Sequence, residues 1–269
     1  MIDSNLGSQR KSFDEASLEY DQVRPGYPNQ LVQDVLNISA VPEKGTILEI
    51  GCGTGQATIE FAKRGYRMLC LDLGKNLTVI AKKKCQNYPL TRIINTSFEK
   101  WKPTMEAFDL IISATAFHWI PPEIGYPKAA QVLKPTGCIA LFWNTHPTPY
   151  TGFFEDVQSI YASITPELSR KTGSSTEMIF QEQAKQLEQS NLFDVAQVRT
   201  YLWSRTYTAE EYMRLLDTYS DHRMLGIERR NELRTKIGNL IEKKYGGKVE
   251  RPYLSMLLIA KRNVTRTLT

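Results

Sequence analysis

The 269-residue sequence predicts an α/β fold, a doubly wound and mostly parallel sheet of seven strands with a helical cap. Three observations carry that prediction. Short apolar, β-branched runs alternate with helical patterns as far as Asn144, the order expected of parallel strands joined by crossover helices. The run Thr46-Ile47-Leu48-Glu49-Ile50 feeds directly into Gly51, Gly53 and Gly55, which open a helix. Two segments of helical pattern, 146–176 and 206–247, are surplus to such a core, and α/β folds bind ligands where additions of this kind gather, outside the carboxyl ends of the strands.

Taken in order, the strands are expected near 46–51, 67–72, 90–95, 108–113 and 137–143, each a run too short for a helix and flanked by Gly, Pro or polar residues. Helices are expected near 55–64, 76–86 and 123–133. A further helix at 177–190 leads to a sixth strand, Phe193 to Tyr201, and the apolar run Tyr253 to Lys261 supplies the last. The whole chain, 1–269, reads as one domain, with a core at about 30–145, 177–205 and 248–262 and cap insertions at about 146–176 and 206–247. An N-terminal lid is placed at about 10–29, and the polar first dozen residues are expected to be loose.

The glycine turn says most about chemistry. Glycines adopt positive φ and let a ligand approach the backbone with no Cβ in the way, and a helix start offers free N–H groups and a positive dipole end. A dinucleotide site reads G-x-G-x-x-G with an acid about 20 residues on, whereas here an acid, Glu49, precedes G-x-G-x-G. The next strand ends in Asp72, 17 residues past Gly55, where a carboxylate can accept from both hydroxyls of a ribose. These residues favour a nucleoside without a pyrophosphate.

LEIGCGTG, Leu48 to Gly55, together with Asp72, resembles the class I S-adenosylmethionine-dependent methyltransferases. YDQVRPGYP (Tyr20 to Pro28), SATAFHWI (Ser113 to Ile120), ALFWN (Ala140 to Asn144) and LDTYSDH (Leu216 to His222) are similar to segments of small-molecule methyltransferases of the trans-aconitate-methyltransferase-like branch. The resemblance implies the class I methyltransferase fold, its last strand antiparallel, and S-adenosyl-L-methionine as cofactor. It further implies Gly51, Gly53 and Gly55 against the methionine portion, Asp72 and Leu73 at the ribose, Tyr20 and Arg24 folding over the donor with Arg24 on its carboxylate, and Ser113 near the turn. Glu49 would act from behind the turn. One stretch departs from the family: where many members carry Asp-Ala-Glu after the third strand, this chain has Asn95-Thr96-Ser97-Phe98-Glu99, leaving Ser97 and the Phe98 backbone to meet adenine.

Composition is that of an ordinary globular enzyme, 41% hydrophobic and 23% charged. The net charge of +5 is dispersed among 29 acids, and Lys82-Lys83-Lys84, the one tight basic run, fans around a helix as a solvated face; no nucleic-acid partner is expected. Cys52, Cys70, Cys85 and Cys138 lack metal-ligand spacing, and with no secretory or membrane segment read at either end a cytoplasmic enzyme is expected.

Methyl transfer from a sulfonium is an in-line displacement, so collinear, dry positioning matters more than a dedicated base. A carboxylate acceptor is already ionised at neutral pH, whereas a phenol, alcohol or amine profits from a base. His118, after the fourth strand, is the candidate base or hydrogen-bond donor, or else a histidine that fixes the turn before Pro121-Pro122. Trp119, Tyr219, Ser220 and Arg223 are candidate acceptor contacts, Arg223 chiefly for an acidic substrate; their other reading is packing and surface decoration. The expected activity is methylation of a small molecule at a carboxylate or hydroxyl. The alternatives are a cofactor-binding protein without turnover and a protein methyltransferase; the missing Asn-Pro-Pro-Tyr motif, with Ser113-Ala114-Thr115-Ala116 in its place, argues against nucleic-acid bases. Nothing in the residues sets an oligomeric state.

Overall fold

A computed structural model describes residues 14, 17–103, 105–169 and 175–265; the segment expected to be loose, the first dozen residues, lies outside them. The strands are β1 (Thr46–Ile50), β2 (Arg67–Asp72), β3 (Thr91–Asn95), β4 (Phe108–Ala114), β5 (Leu133–Thr145), β6 (Gln197–Thr208) and β7 (Lys248–Lys261). They form one seven-stranded mixed sheet in the order β3-β2-β1-β4-β5-β7-β6, parallel from β3 through β5 with β7 entering antiparallel. The helices are α1 (Ser17–Val23), α2 (Asn29–Ser39), α3 (Thr58–Ala62), α4 (Lys75–Lys84), α5 (Pro122–Val132), α6 (Phe153–Ile164), α7 (Ser175–Gln189), α8 (Ala209–Asp217), α9 (Ser220–Arg223) and α10 (Ile227–Lys244).

The chain divides into two compact units. One comprises residues 26–144, 176–201 and 255–269. Its central parallel strands β1, β4 and β5 are buried on both faces, which is why they read as continuous apolar runs rather than alternating ones. Ile47, Leu110, Ile112, Ala140 and Phe142 lie in a cluster with Leu31, Val35 and Phe61 from α2 and α3, while the intervening Leu48, Ile50, Ile111 and Leu141 are buried as well. Strand order reverses at β1, which pairs with β2 on one side and β4 on the other. Crevices at such reversals are where open α/β sheets take ligands.

The other unit comprises residues 1–25, 145–175 and 202–254. Its core joins Phe153, Phe154 and Tyr161 of α6, Tyr212, Leu215 and Leu216 of α8, and Leu233, Ile237 and Ile241 of α10, with Tyr207 and Tyr253 from the strand ends. α10 packs on α6 and α8, and α1 on α8. A reciprocal capping box starts α8: Thr208 Oγ1 accepts from the Glu211 N–H while Glu211 accepts from the Thr208 N–H.

Four elements differ from expectation by more than two residues at an end, each for a local reason. The helix expected at 55–64 is only Thr58–Ala62, because Gly55 at φ +88° cannot join a right-handed helix and the turn runs on through Ala57. β5 begins at Leu133 rather than 137: Leu133 pairs with Phe108 and Cys138 with Leu110, so Lys134-Pro135-Thr136-Gly137 is an interruption within the strand, not a turn before it. β6 occupies Gln197–Thr208, not 193–201, since the segment alternates exposed and half-buried residues at the sheet edge and lacks a buried run to mark it; Phe193 makes an isolated bridge to Arg262. β7 starts at Lys248 and passes through Arg251-Pro252, a pair that reads as a strand stop.

Candidate active site

The turn after β1 is built around one carboxylate. The N–H groups of Gly51 and Cys52 donate to the Leu71 carbonyl, at 2.8 and 3.0 Å, laying the turn across the end of β2. Asp72 then takes the Gly53 N–H on Oδ2 at 2.8 Å and the Gly74 N–H on Oδ1 at 2.7 Å. The residue is half-buried. Leu73 beside it is exposed, and Asn95 at the end of β3 donates to the Asp72 and Leu73 carbonyls, tying this edge together.

Gly51, Gly53 and Gly55 all have positive φ, +73°, +56° and +88°. At Gly51 the need for glycine is double, since a Cβ would lie 2.3 Å from the Ala116 Cβ. Ala116 belongs to the segment after β4, so the two loops flanking the strand-order reversal close on each other here. That segment is itself under backbone constraint: Thr115 sits at φ +57°, uncommon for a β-branched residue. It is held by its N–H on the Phe142 carbonyl and by its hydroxyl on Tyr27 Oη, both at 2.8 Å. Tyr27 in turn packs edge-on against Phe142, 4.8 Å between centroids, and Asn144 Nδ2 donates to the Gly26 carbonyl at 2.9 Å.

Glu49 is fully buried behind the turn, with Oε2 accepting the Thr58 hydroxyl at 2.6 Å and Oε1 without a hydrogen-bond partner. Burial lifts its carboxyl from 4.5 to about 7, outweighing the bonds from Thr58 and Cys70, and the Asp72 charge adds to the rise. Gln56 Nε2 is a second orphan, a buried donor in the turn with no partner, its Oε1 accepting from Thr54. A cradle that a Cβ would fill, a carboxylate at the end of β2 and an unpartnered amide donor fit the amino-acid and ribose ends of an S-adenosyl nucleoside.

Several expected site residues stand differently. Ser113 is fully buried, and its hydroxyl donates to the Ile50 carbonyl at 2.7 Å, pinning β4 to the end of β1. The Phe98 ring is buried, with Lys128 Nζ 5.2 Å from its centroid, and its carbonyl accepts from that amine at 2.7 Å; Ser97 Oγ accepts from the Lys100 N–H. Tyr20 and Arg24 belong to the other unit. Arg24 spends Nε and Nη2 on the Thr218 hydroxyl and carbonyl, at 2.8 and 2.7 Å, between the rings of Tyr20 and Tyr219.

His118 lies in a 3₁₀ turn, Phe117–Trp119, with Trp119 half-buried beside it. The Trp143 indole N–H donates to His118 Nδ1 at 3.1 Å. An indole nitrogen only donates, so Nδ1 must be unprotonated and the ring proton resides on Nε2. Burial lowers the imidazole to about 4 and keeps it uncharged at neutral pH. Of the two roles expected of His118, base or hydrogen-bond donor, this geometry suits the donor. Trp143, fully buried and edge-on to Phe180 at 5.8 Å, is both packing and tautomer lock.

In the helical unit Tyr219 is half-buried under Arg24, Ser220 opens α9, and Arg223 ends it. His222 turns inward, its Nδ1–H on Asp221 and its Nε2 accepting from Tyr161. The residue that sequence reasoning missed is Arg251, whose guanidinium carbon lies 5.1 to 5.9 Å from the ring centroids of Tyr253, Phe154 and Tyr219. Its signal was a charge two residues before the apolar run Tyr253 to Lys261, hidden by the proline. All four cysteines are free and buried, and no group of three or more metal-ligating side chains gathers among the described residues. Nor is any described helix long and apolar enough to cross a membrane.

Residues 47–137 match a family described as a methyltransferase domain. Over 233 residues the chain is 24% identical to an uncharacterized methyltransferase of Schizosaccharomyces pombe, covering 86% of this chain and 88% of that protein. It is 26% identical over 142 residues to the trans-aconitate 2-methyltransferase of Variovorax paradoxus, with 52% of this chain and 50% of that one aligned. Among solved structures it is similar to Haemonchus contortus phosphoethanolamine N-methyltransferase 2 in complex with S-adenosyl-L-methionine, at a TM-score of 0.53 and 14% identity, over 93% of this chain and 57% of that one. At that identity the likeness shows the fold.

Proposed function

We propose that this chain, which is a class I S-adenosylmethionine-dependent methyltransferase, methylates an oxygen of a small molecule, a carboxylate in preference to a hydroxyl. The observation that carries the acceptor class is the Trp143–His118 hydrogen bond. With Nδ1 occupied and the proton fixed on Nε2, the one histidine of the site lacks a free lone pair with which to take a proton. An acceptor that is already an anion at neutral pH has no such need, and the His118 Nε2–H is suited to orient its oxygen.

In this reading Gly51, Gly53 and Gly55 admit the methionine portion, Gln56 Nε2 offers it a donor, Asp72 accepts from the ribose hydroxyls, and Ser97 with the Phe98 N–H faces adenine. When bound, S-adenosylmethionine supplies a methyl group on a positively charged sulfur, open to in-line displacement. The protein's share is to hold an acceptor oxygen on that line and exclude water. Glu49 contributes by stiffness: its bond to Thr58 fixes the first residue of α3 against the end of β1.

A screen with methyl-labelled donor and a panel of small carboxylic acids, alcohols and phenols tests the acceptor class. Label recovered as a base-labile ester agrees with it. Label transferred only to base-stable products, or only to protein, contradicts it.

A further inference from the structure

Arg251 is a cation without an anion. Three other arginines are answered by carboxylates: Arg229 by Glu167, Arg262 by Glu106, Arg234 by Asp217. Arg251 forms no ion pair among the described residues. Its Nη1 reaches Tyr212 Oη at 3.4 Å, its Nε is sealed from solvent with no partner, and the group makes no other hydrogen bond among those residues. What surrounds it is aromatic: Phe154 at 5.6 Å, Tyr219 at 5.9 Å and Tyr253 at 5.1 Å from the guanidinium carbon. Ring faces attract a cation but satisfy none of the five N–H donors of an always-charged guanidinium.

A second orphan lies against the same phenylalanine. The His146 ring is 4.2 Å from Phe154, and its Nδ1–H donates to the Pro147 carbonyl at 2.7 Å, which leaves the lone pair on Nε2. That nitrogen is buried and unpartnered. Burial, with the Arg251 charge nearby, lowers the ring to about 4, so it remains a neutral acceptor. Buried polar groups are seldom left unpaired without a reason, and here a donor-rich cation and an acceptor share one aromatic floor inside one unit. Arg24 and Arg205 are also near the tyrosines but are spent on backbone carbonyls, at Thr218 for Arg24 and at Arg24 and Gln22 for Arg205. One uncommitted guanidinium matches a monoanion, and its planar fork matches a carboxylate.

We infer that Arg251, with Tyr212, Tyr219 and Tyr253 around it, is a binding site for the carboxylate of a small molecule. Arg251 is only partly buried and its Nε is sealed, so the Nη edge is the part the anion meets.

Calorimetric titration of the full chain, with and without S-adenosylhomocysteine, tests it with acetate, succinate, trans-aconitate, benzoate and octanoate as probes, their methyl esters as uncharged counterparts and phenyl phosphate as the competing anion class. The expected result is saturable binding of at least one carboxylate, weakened tenfold or more in its ester and in Arg251→Gln, with S-adenosylhomocysteine affinity within twofold of wild type. Should Arg251→Gln fail to fold by circular dichroism, Arg251→Lys decides, since it keeps the charge and loses the fork: threefold or greater weakening is expected. Absence of carboxylate binding by the wild type, equal binding by the folded variant, or preference for the phosphate or the esters overturns the inference. Failure of the wild type to bind S-adenosylhomocysteine sinks the donor reading instead, and the titration without it still judges the anion site.

Discussion

Gly51→Ala is the substitution whose consequence the geometry fixes most closely. Two costs are superimposed at that position. The backbone has φ +73°, and placing an L-residue with a Cβ in the left-handed region costs about 1–2 kcal/mol. The new Cβ would also stand 2.3 Å from the Ala116 Cβ, well inside contact distance, and overpacking of this kind costs about 1–3 kcal/mol. The sum, about 2–5 kcal/mol, is a large share of a domain's stability. The two parts separate in a double-mutant cycle with Ala116→Gly, which removes the clashing methyl and leaves φ unchanged. Denaturant melts of the four proteins should give a coupling energy of about 1–3 kcal/mol, with a residual destabilisation of about 1–2 kcal/mol in the double variant from φ alone. Coupling below about 0.5 kcal/mol, the level at which independent sites add, would show that the loops after β1 and β4 do not meet as described.

Glu49 makes a pH prediction. Its folded carboxyl titrates near 7 against 4.5 unfolded, so the folded chain holds the proton longer and the contribution to stability is full below about pH 4.5 and lost as pH rises through 7, by about 3 kcal/mol. Stability of Glu49→Gln relative to wild type should therefore improve by about that amount between pH 4.5 and 7.5, and a flat difference would refute the assignment. For His118, nitrogen chemical shifts should report an uncharged ring with Nδ1 unprotonated from about pH 5.5 to 8, and Trp143→Phe should release that tautomer preference; a wild-type midpoint near 6.5 would contradict the lock.

Much of the fold was legible because its information is local. β2 fell where its apolar run fell, and β1 to within one residue, since a strand buried on both faces needs nothing but apolar residues and a turn at each end. β6 was misplaced because an edge strand pairs on one side only and has no such run. β7 was cut short at Pro252, although the strand continues through it. Within the site, the glycine turn and Asp72 announced themselves by residue type and spacing. Ser113 did not betray that its hydroxyl points at the Ile50 carbonyl, because the register of β4 against β1 decides that. The partnership of Trp143 with His118, 25 residues apart in sequence, and the lack of an ion pair at Arg251 among the described residues are tertiary facts. No spacing rule encodes them.

Titration of S-adenosylhomocysteine into wild type and Asp72→Asn by calorimetry tests the donor cradle directly. Asparagine keeps the shape of the side chain but offers one acceptor oxygen where the Gly53 and Gly74 N–H groups now each find one. Losing a charge-assisted bond of this kind costs about 1.5–3 kcal/mol, roughly a 10- to 150-fold weakening. Saturable binding by the wild type, weakened to that extent by the substitution, is the predicted result. No binding by the wild type, or equal affinity in both proteins, would contradict the cradle built on Asp72 and the glycine turn.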